Sequence, residues 1–140
     1  MSRLPKRCIL TPHLGELERL VGRCSDGYER LTKIKEIAAY LQSYVIMKGK
    51  WSTIVTPEGN FYFNPTGNPG MSTAGSGDAL TGILLALLAQ GYDQEEACIL
   101  GTYIHGLAGD IAADQWDEIG MTTSDLIASL PKAWKNIKQP

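Results

Sequence analysis

The sequence predicts an α/β fold in which helices are layered against a sheet. Short continuous apolar runs bounded by turn residues read as strands, and longer stretches with apolar residues three and four apart read as helices. Their order is strand, helix, helix, strand, hairpin, helix, helix, helix. Five helices on four strands leave the sheet thin, a hint that a complete domain has more strands than this chain supplies. At 140 residues the chain is expected to form a single domain, 1–140, long enough to bury a core.

Taken in order, Cys8 to Leu10 is a buried strand that leaves the sheet at Pro12. Leu14, Leu17, Leu20 and Val21 share one helical face, and Gly22 is the stop. Glu29 to Leu41 is the next helix, with Leu31, Ile34, Ile37, Ala38 and Leu41 on one side. The run YVIMKG, closed by Gly49, reads as a strand buried on both faces. STIVT and NFYFN flank Pro57-Glu58-Gly59, which predicts a hairpin. Asn64 to Gly77 has no periodicity. A helix over Asp78 to Gln90 then ends at Gly91.

Glu95 to about Gln115 is a helix carrying Gly101, Gly106 and Gly109, three costly residues that imply close backbone packing on a neighbour. The last helix starts near Thr122 or Ser124, and Pro131 is expected to kink or divide it.

Composition excludes several classes. A hydrophobic content of 44% with 20% charged residues is that of a globular chain. A net charge of −2 without a basic stripe argues against nucleic acid, and Lys132, Lys135 and Lys138 read as a solvated helix face. Cys8, Cys24 and Cys98 are odd in number and lack zinc spacing; Cys8 and Cys98, in apolar runs, read as reduced core residues. The longest apolar stretch, Ile83 to Ala89, is too short for a bilayer, so no membrane partner is expected and the compartment reads as cytoplasmic.

The chemistry concentrates in NPGMSTAGSGDALTG, Asn68 to Gly82. A helix N-terminus offers unpaired N–H groups and a partial positive charge, and glycines let the backbone approach an anion. Asp78, in the first turn, would remain ionised and able to accept a proton, which suits phosphoryl transfer. The pattern is neither a P-loop nor a dinucleotide fingerprint, and on local chemistry a Gly-rich turn capped by Asp78 explains it equally well. Lys48 ends an apolar strand, and His13 sits with Glu16 in TPHLGE at another strand exit. Three polar clusters at three strand exits point to one shared cleft. His105 reads as a helix-packing residue, and Tyr103, Trp116 and Trp134 as core or interface residues.

TPHLGE (11–16), VIMKGK (45–50), NPTGNPGMSTAGSGDALTGILLALLAQG (64–91) and YIHGLAGD (103–110), in that order, resemble the C-terminal half of the ADP- or ATP-dependent NAD(P)H-hydrate dehydratases. That family belongs to the ribokinase-like superfamily. The resemblance implies a ribokinase-like layered sandwich lacking its N-terminal segment, and the repair of hydrated NADH or NADPH. Phosphorylation of the ring hydroxyl by ADP or ATP would be followed by elimination of phosphate. By the same resemblance Asp78 would be the base and would also meet the substrate, and Gly75, Ser76 and Gly77 would form the anion hole. Lys48, Gly49, Lys50, Trp51 and Ser52 would bind nucleotide with Asn68, Pro69, Gly70, Met71, Ser72, Thr73 and Ala74, and His13 would contact the hydrated dinucleotide.

Mg²⁺ is expected from the family, with ligands that no acidic cluster identifies. Lys50 and Trp51 replace the small residue usual after KG, which bears on the choice of ADP or ATP. The segment absent from the resemblance implies a homo-oligomer or association with the missing N-terminal part. The competing readings are a ribokinase-like kinase of small-molecule hydroxyls and a catalytically incomplete nucleotide-binding fragment.

Overall fold

The structure, a computed structural model, describes residues 4–137. It divides into two compact units, one ending at Phe63 and the other beginning at Asn64.

In the first unit β1 (Ile9–Leu10) pairs in parallel with β2 (Tyr44–Met47), and α1 (Leu14–Val21) and α2 (Gly27–Leu41) connect them. β3 (Thr53–Val55) runs antiparallel to β2, and β4 (Phe61–Phe63) antiparallel to β3, so the sheet order is β1-β2-β3-β4. The predicted hairpin is therefore present. Its turn closes through Gly59 N–H to the Thr56 carbonyl at 2.9 Å. All four residues of β2 are buried, as its uninterrupted apolar run requires. Leu17, Ile34 and Ala38 from the helices meet Val45, Met47 and Val55 from the sheet to form the core.

Helix starts in this unit are set by side chains. Asp26 caps α2 by accepting from the Glu29 N–H at 2.8 Å, which moves the start two residues ahead of the predicted Glu29. The Glu29 carboxylate pairs with Lys33 at 2.8 Å and accepts from the Ser25 N–H and hydroxyl, both at 2.6 Å. The Lys33 contact first, then Ser25, hold its pKa down to about 2.

The second unit packs α3 (Ser76–Ala89), α4 (Gln94–Gly120) and α5 (Thr123–Ile137), with a 3₁₀ turn at Pro69–Met71 ahead of them. Ile104, Ala108 and Ala112 of α4 form a core with Met121 and with Leu126 and Ala133 of α5, and Trp134 packs at its margin. α4 departs from helical geometry at Asp117 (φ 62°, ψ 156°), close to the predicted end near Gln115. Pro131 does not divide α5. Buried residues on both sides of the proline, Leu126 and Ala133, hold the helix to the same core and outweigh the lost backbone hydrogen bond.

The α4 glycines lie where the sequence anticipates close packing. A Cβ on Gly101 would meet Leu84 of α3 at 2.8 Å, and one on Gly106 would meet the Thr66 main-chain carbonyl at 2.8 Å. Cys98 is fully buried, and burial pushes its thiol up to about 12. Cys8 is only half-buried, a correction to its reading as core, because β1 begins one residue later and leaves it at the strand entrance. Lys132 and Lys135 are exposed as predicted, and Lys138 lies outside the described residues. Trp116 is half exposed. Among the described residues no helix is long and apolar enough to cross a membrane.

Candidate active site

In the first unit the ends of the parallel strands bring two of the singled-out residues side by side. His13 and Lys48 face each other as a parallel bridge, and the Lys48 N–H donates to the Pro12 carbonyl at 2.9 Å. His13 is the N-cap of α1. Its Nδ1 accepts from the Glu16 N–H at 3.2 Å, and Glu16 Oε2 accepts from the His13 N–H at 2.8 Å. This is a capping box in which imidazole replaces the usual hydroxyl. Glu16 also lies 3.8 Å from Lys48 Nζ and 3.4 Å from His13 Nε2. The His13 N–H, then the Lys48 charge, hold its carboxyl below the usual range. The result is an exposed imidazole and a half-buried ammonium fixed at one carboxyl edge by a shared carboxylate. Beyond Lys48 the chain turns outward: Trp51 is exposed, with Lys50 Nζ 5.7 Å from its ring centroid, and Ser52 donates to the Gly49 carbonyl at 3.3 Å.

In the second unit the loop from Asn64 to Gly75 is tied to α4 along its length. Asn64 donates to the Thr102 carbonyl at 3.3 Å, and the Thr66 hydroxyl to the Tyr103 carbonyl at 2.9 Å. Asp110 accepts from the Gly67 N–H and from Asn68 Nδ2, both at 2.9 Å. Further on, the Thr123 hydroxyl donates to the Ala74 carbonyl at 2.7 Å. The loop then enters α3 through Gly75, which has φ 88°, a left-handed conformation that a Cβ would strain. Ser76 opens the helix and is buried; His105 Nε2 lies 2.9 Å from its carbonyl and 3.4 Å from its hydroxyl. A carbonyl only accepts, so Nε2 carries the proton.

Among the described residues no side chain caps the α3 N-terminus. Asp78 is exposed in the first turn, and its carboxylate is not the cap that the competing turn reading required. At the helix start the Ser76 N–H donates to the Thr73 carbonyl at 3.3 Å, and the Asp78 carboxylate stands in the first turn near the partial positive charge of the terminus. His105 packs as anticipated. Asp110 is the residue that sequence reasoning missed. It lies in the YIHGLAGD motif, but its partners are 42 and 43 residues away, beyond any local spacing signal.

The sequence pattern of the NAD(P)H-hydrate dehydratase family matches residues 1–132. The chain belongs to that family. It is 44% identical over 133 residues to a bifunctional NAD(P)H-hydrate repair enzyme of Thermofilum pendens, covering 94% of this chain and 25% of that protein. To the ADP-dependent (S)-NAD(P)H-hydrate dehydratase of Bacillus subtilis it is 34% identical, over 96% of this chain and 50% of the relative. The chain thus spans between a quarter and a half of the length of these relatives.

Among solved structures, the B. subtilis ADP/ATP-dependent dehydratase co-crystallised with ATP and Mg²⁺ superimposes with a TM-score of 0.87 at 34% identity, over 95% of this chain and 50% of that one. A ribokinase-like superfamily protein of Enterococcus faecalis gives a TM-score of 0.73 at 31% identity, over 91% of this chain and 44% of that one. The family member described here has the ribokinase-like α/β fold, over part of the domain's length.

The B. subtilis relative is named as ADP/ATP-dependent, and its crystals held ATP and Mg²⁺. Among the described residues there is no group of three His, Cys, Asp or Glu side chains able to hold a metal. Mg²⁺ in nucleotide sites is ordinarily held by one or two carboxylates together with the phosphates.

Proposed function

We propose that this chain forms the phosphate-handling part of an enzyme that dehydrates hydrated NADH or NADPH at the expense of ADP or ATP. The observation that carries the reading is the start of α3. An uncapped helix terminus entered through left-handed Gly75 has exposed Asp78 in its first turn, and its approach loop is fixed to α4.

Gly75, Ser76 and Gly77 are assigned to the anion hole: the Gly75 and Gly77 N–H groups face the transferring phosphoryl group, and the Ser76 N–H, bonded to the Thr73 carbonyl at 3.3 Å, would be shared with it. Asp78 accepts the proton of the ring hydroxyl as its oxygen bonds to phosphorus and the nucleoside phosphate leaves. The original ring C–O bond then breaks, phosphate departs with the bonding pair, and loss of a proton from the neighbouring carbon to water restores the double bond. Asn68 to Ala74 and Lys48 to Ser52 are assigned to the nucleotide, and His13 to the hydrated dinucleotide. Mg²⁺, when bound with the nucleotide, would offset phosphate charge. Family membership favours dehydration over simple phosphorylation of a hydroxyl. We further infer a cytoplasmic location, and association either with itself or with the remaining part of the domain.

The test is recovery of the reduced nicotinamide absorbance when the chain, supplied with the rest of the domain, meets hydrated NADPH and ADP or ATP. Recovery that requires nucleotide is expected. A stable phosphorylated substrate would instead make the enzyme a kinase, and no reaction would end the proposal.

A further inference from the structure

Thr102, His105, Gly106, Gly109 and Asp110 recur on α4 at three- and four-residue spacing, so they share one face. That face holds the approach loop. Gly106 admits the Thr66 backbone, Gly109 admits Met71, His105 holds the Ser76 carbonyl, and Asp110 takes both the main chain of Gly67 and the side chain of Asn68. Asp110 differs from the rest in being a charged acceptor with two donors on successive residues. It also fixes the Asn68 amide: reversing that amide would bring its oxygen against the carboxylate. Asn68 Oδ1 is buried and has no hydrogen-bond partner among the described residues, yet the amide keeps this orientation.

We propose that Asp110 is a positioning residue that holds the Gly67–Asn68 main chain in the conformation required to receive the nucleotide, before any nucleotide binds. This rests on the nucleotide reading of the Asn68–Gly77 segment. Asp110 does not itself touch the phosphates in this scheme. It removes the ordering cost that a free loop would add to binding.

The experiment compares the chain with Asp110→Ala, Asn68→Asp and the double variant Asn68→Asp/Asp110→Asn. In the double variant the amide at position 110 would accept from the Gly67 N–H and donate to the carboxylate at position 68, restoring both bonds with the charge moved across. Two readouts are taken: hydrogen exchange at the Gly67 amide and through residues 67–76, and ADP affinity by calorimetry. Loss of a hydrogen bond to a charged group predicts exchange at least about tenfold faster at Gly67, and ADP binding weaker by about tenfold or more, in each single variant. The amides of α4 should keep their protection. The double variant should recover most of the lost exchange protection, which general damage to the fold would not do.

Unchanged exchange at Gly67 in Asp110→Ala overturns the proposal. So does a folded double variant as loose as the single ones. Should Asp110→Ala lose α4 protection as well, Asn68→Asp and its rescue decide the question. Absence of ADP binding by the unaltered chain would sink the nucleotide reading, while the exchange data would still judge the positioning role.

Discussion

The two units hold their candidate residues by different means. In the first, His13, Glu16 and Lys48 are fixed by contacts local to a strand exit: a capping box spanning three residues and a bridge between adjacent parallel strands. In the second, Asp78 stands on a helix whose approach loop is secured at long range, by Asp110, His105, Thr123 and the carbonyls of Thr102 and Tyr103. A local motif positions a side chain cheaply but leaves it exposed and adjustable. A long-range rack fixes main chain, which is what an anion site built from N–H groups needs.

The contrast is sharpened first by separating chemistry from binding. Asp78→Asn keeps the shape of the α3 start but removes the proton acceptor. It should lower the turnover of the completed domain by roughly 10²- to 10⁴-fold, the usual contribution of a general base, with ADP affinity nearly unchanged. Steady-state kinetics and calorimetry check the pair. Unaltered turnover would deny Asp78 its role.

A second way to break the comparison is to press on the rack. Gly106→Ala places a Cβ against the Thr66 carbonyl and should cost about 1–3 kcal/mol of stability by overpacking. Gly82→Ala on α3, where a Cβ meets nothing within 4 Å, should instead stabilise by about 1 kcal/mol through helix propensity. Denaturant titrations of the two variants should move in opposite directions. A third change tests the local motif. Glu16→Gln keeps a capping acceptor but removes the charge between His13 and Lys48, and thermal melts should record only a small downward shift.

The smallest expected effect is a pH dependence confined to the first unit. Glu29 has a folded pKa depressed from 4.5 to about 2 by Lys33 and Ser25. Its contribution to stability is therefore complete above pH 4.5 and is lost as pH falls toward 2. Glu29→Gln should flatten that part of the acid-stability curve while leaving the neutral region almost unmoved.

What was legible in the sequence follows the same division. The all-apolar run YVIM announced β2, and Pro57-Glu58-Gly59 announced the hairpin, because strand and turn chemistry are local. The three α4 glycines announced close packing without naming what approaches them. The sequence pattern places the start of α3 two residues late, since Ser76 and Gly77 look like loop residues and only Gly75 in the left-handed region marks the true entry. Asp110 was invisible for a stronger reason. Its function exists only once chain segments 42 and 43 residues away are brought to α4.

The most direct test of the central claim, that the α3 start is an anion cradle, is a titration of the chain with ADP followed by backbone amide NMR. The account predicts saturable shifts concentrated at Gly75 to Asp78 and in the Asn68–Ala74 loop. Saturable shifts that leave these amides unmoved, or none at all, would contradict it.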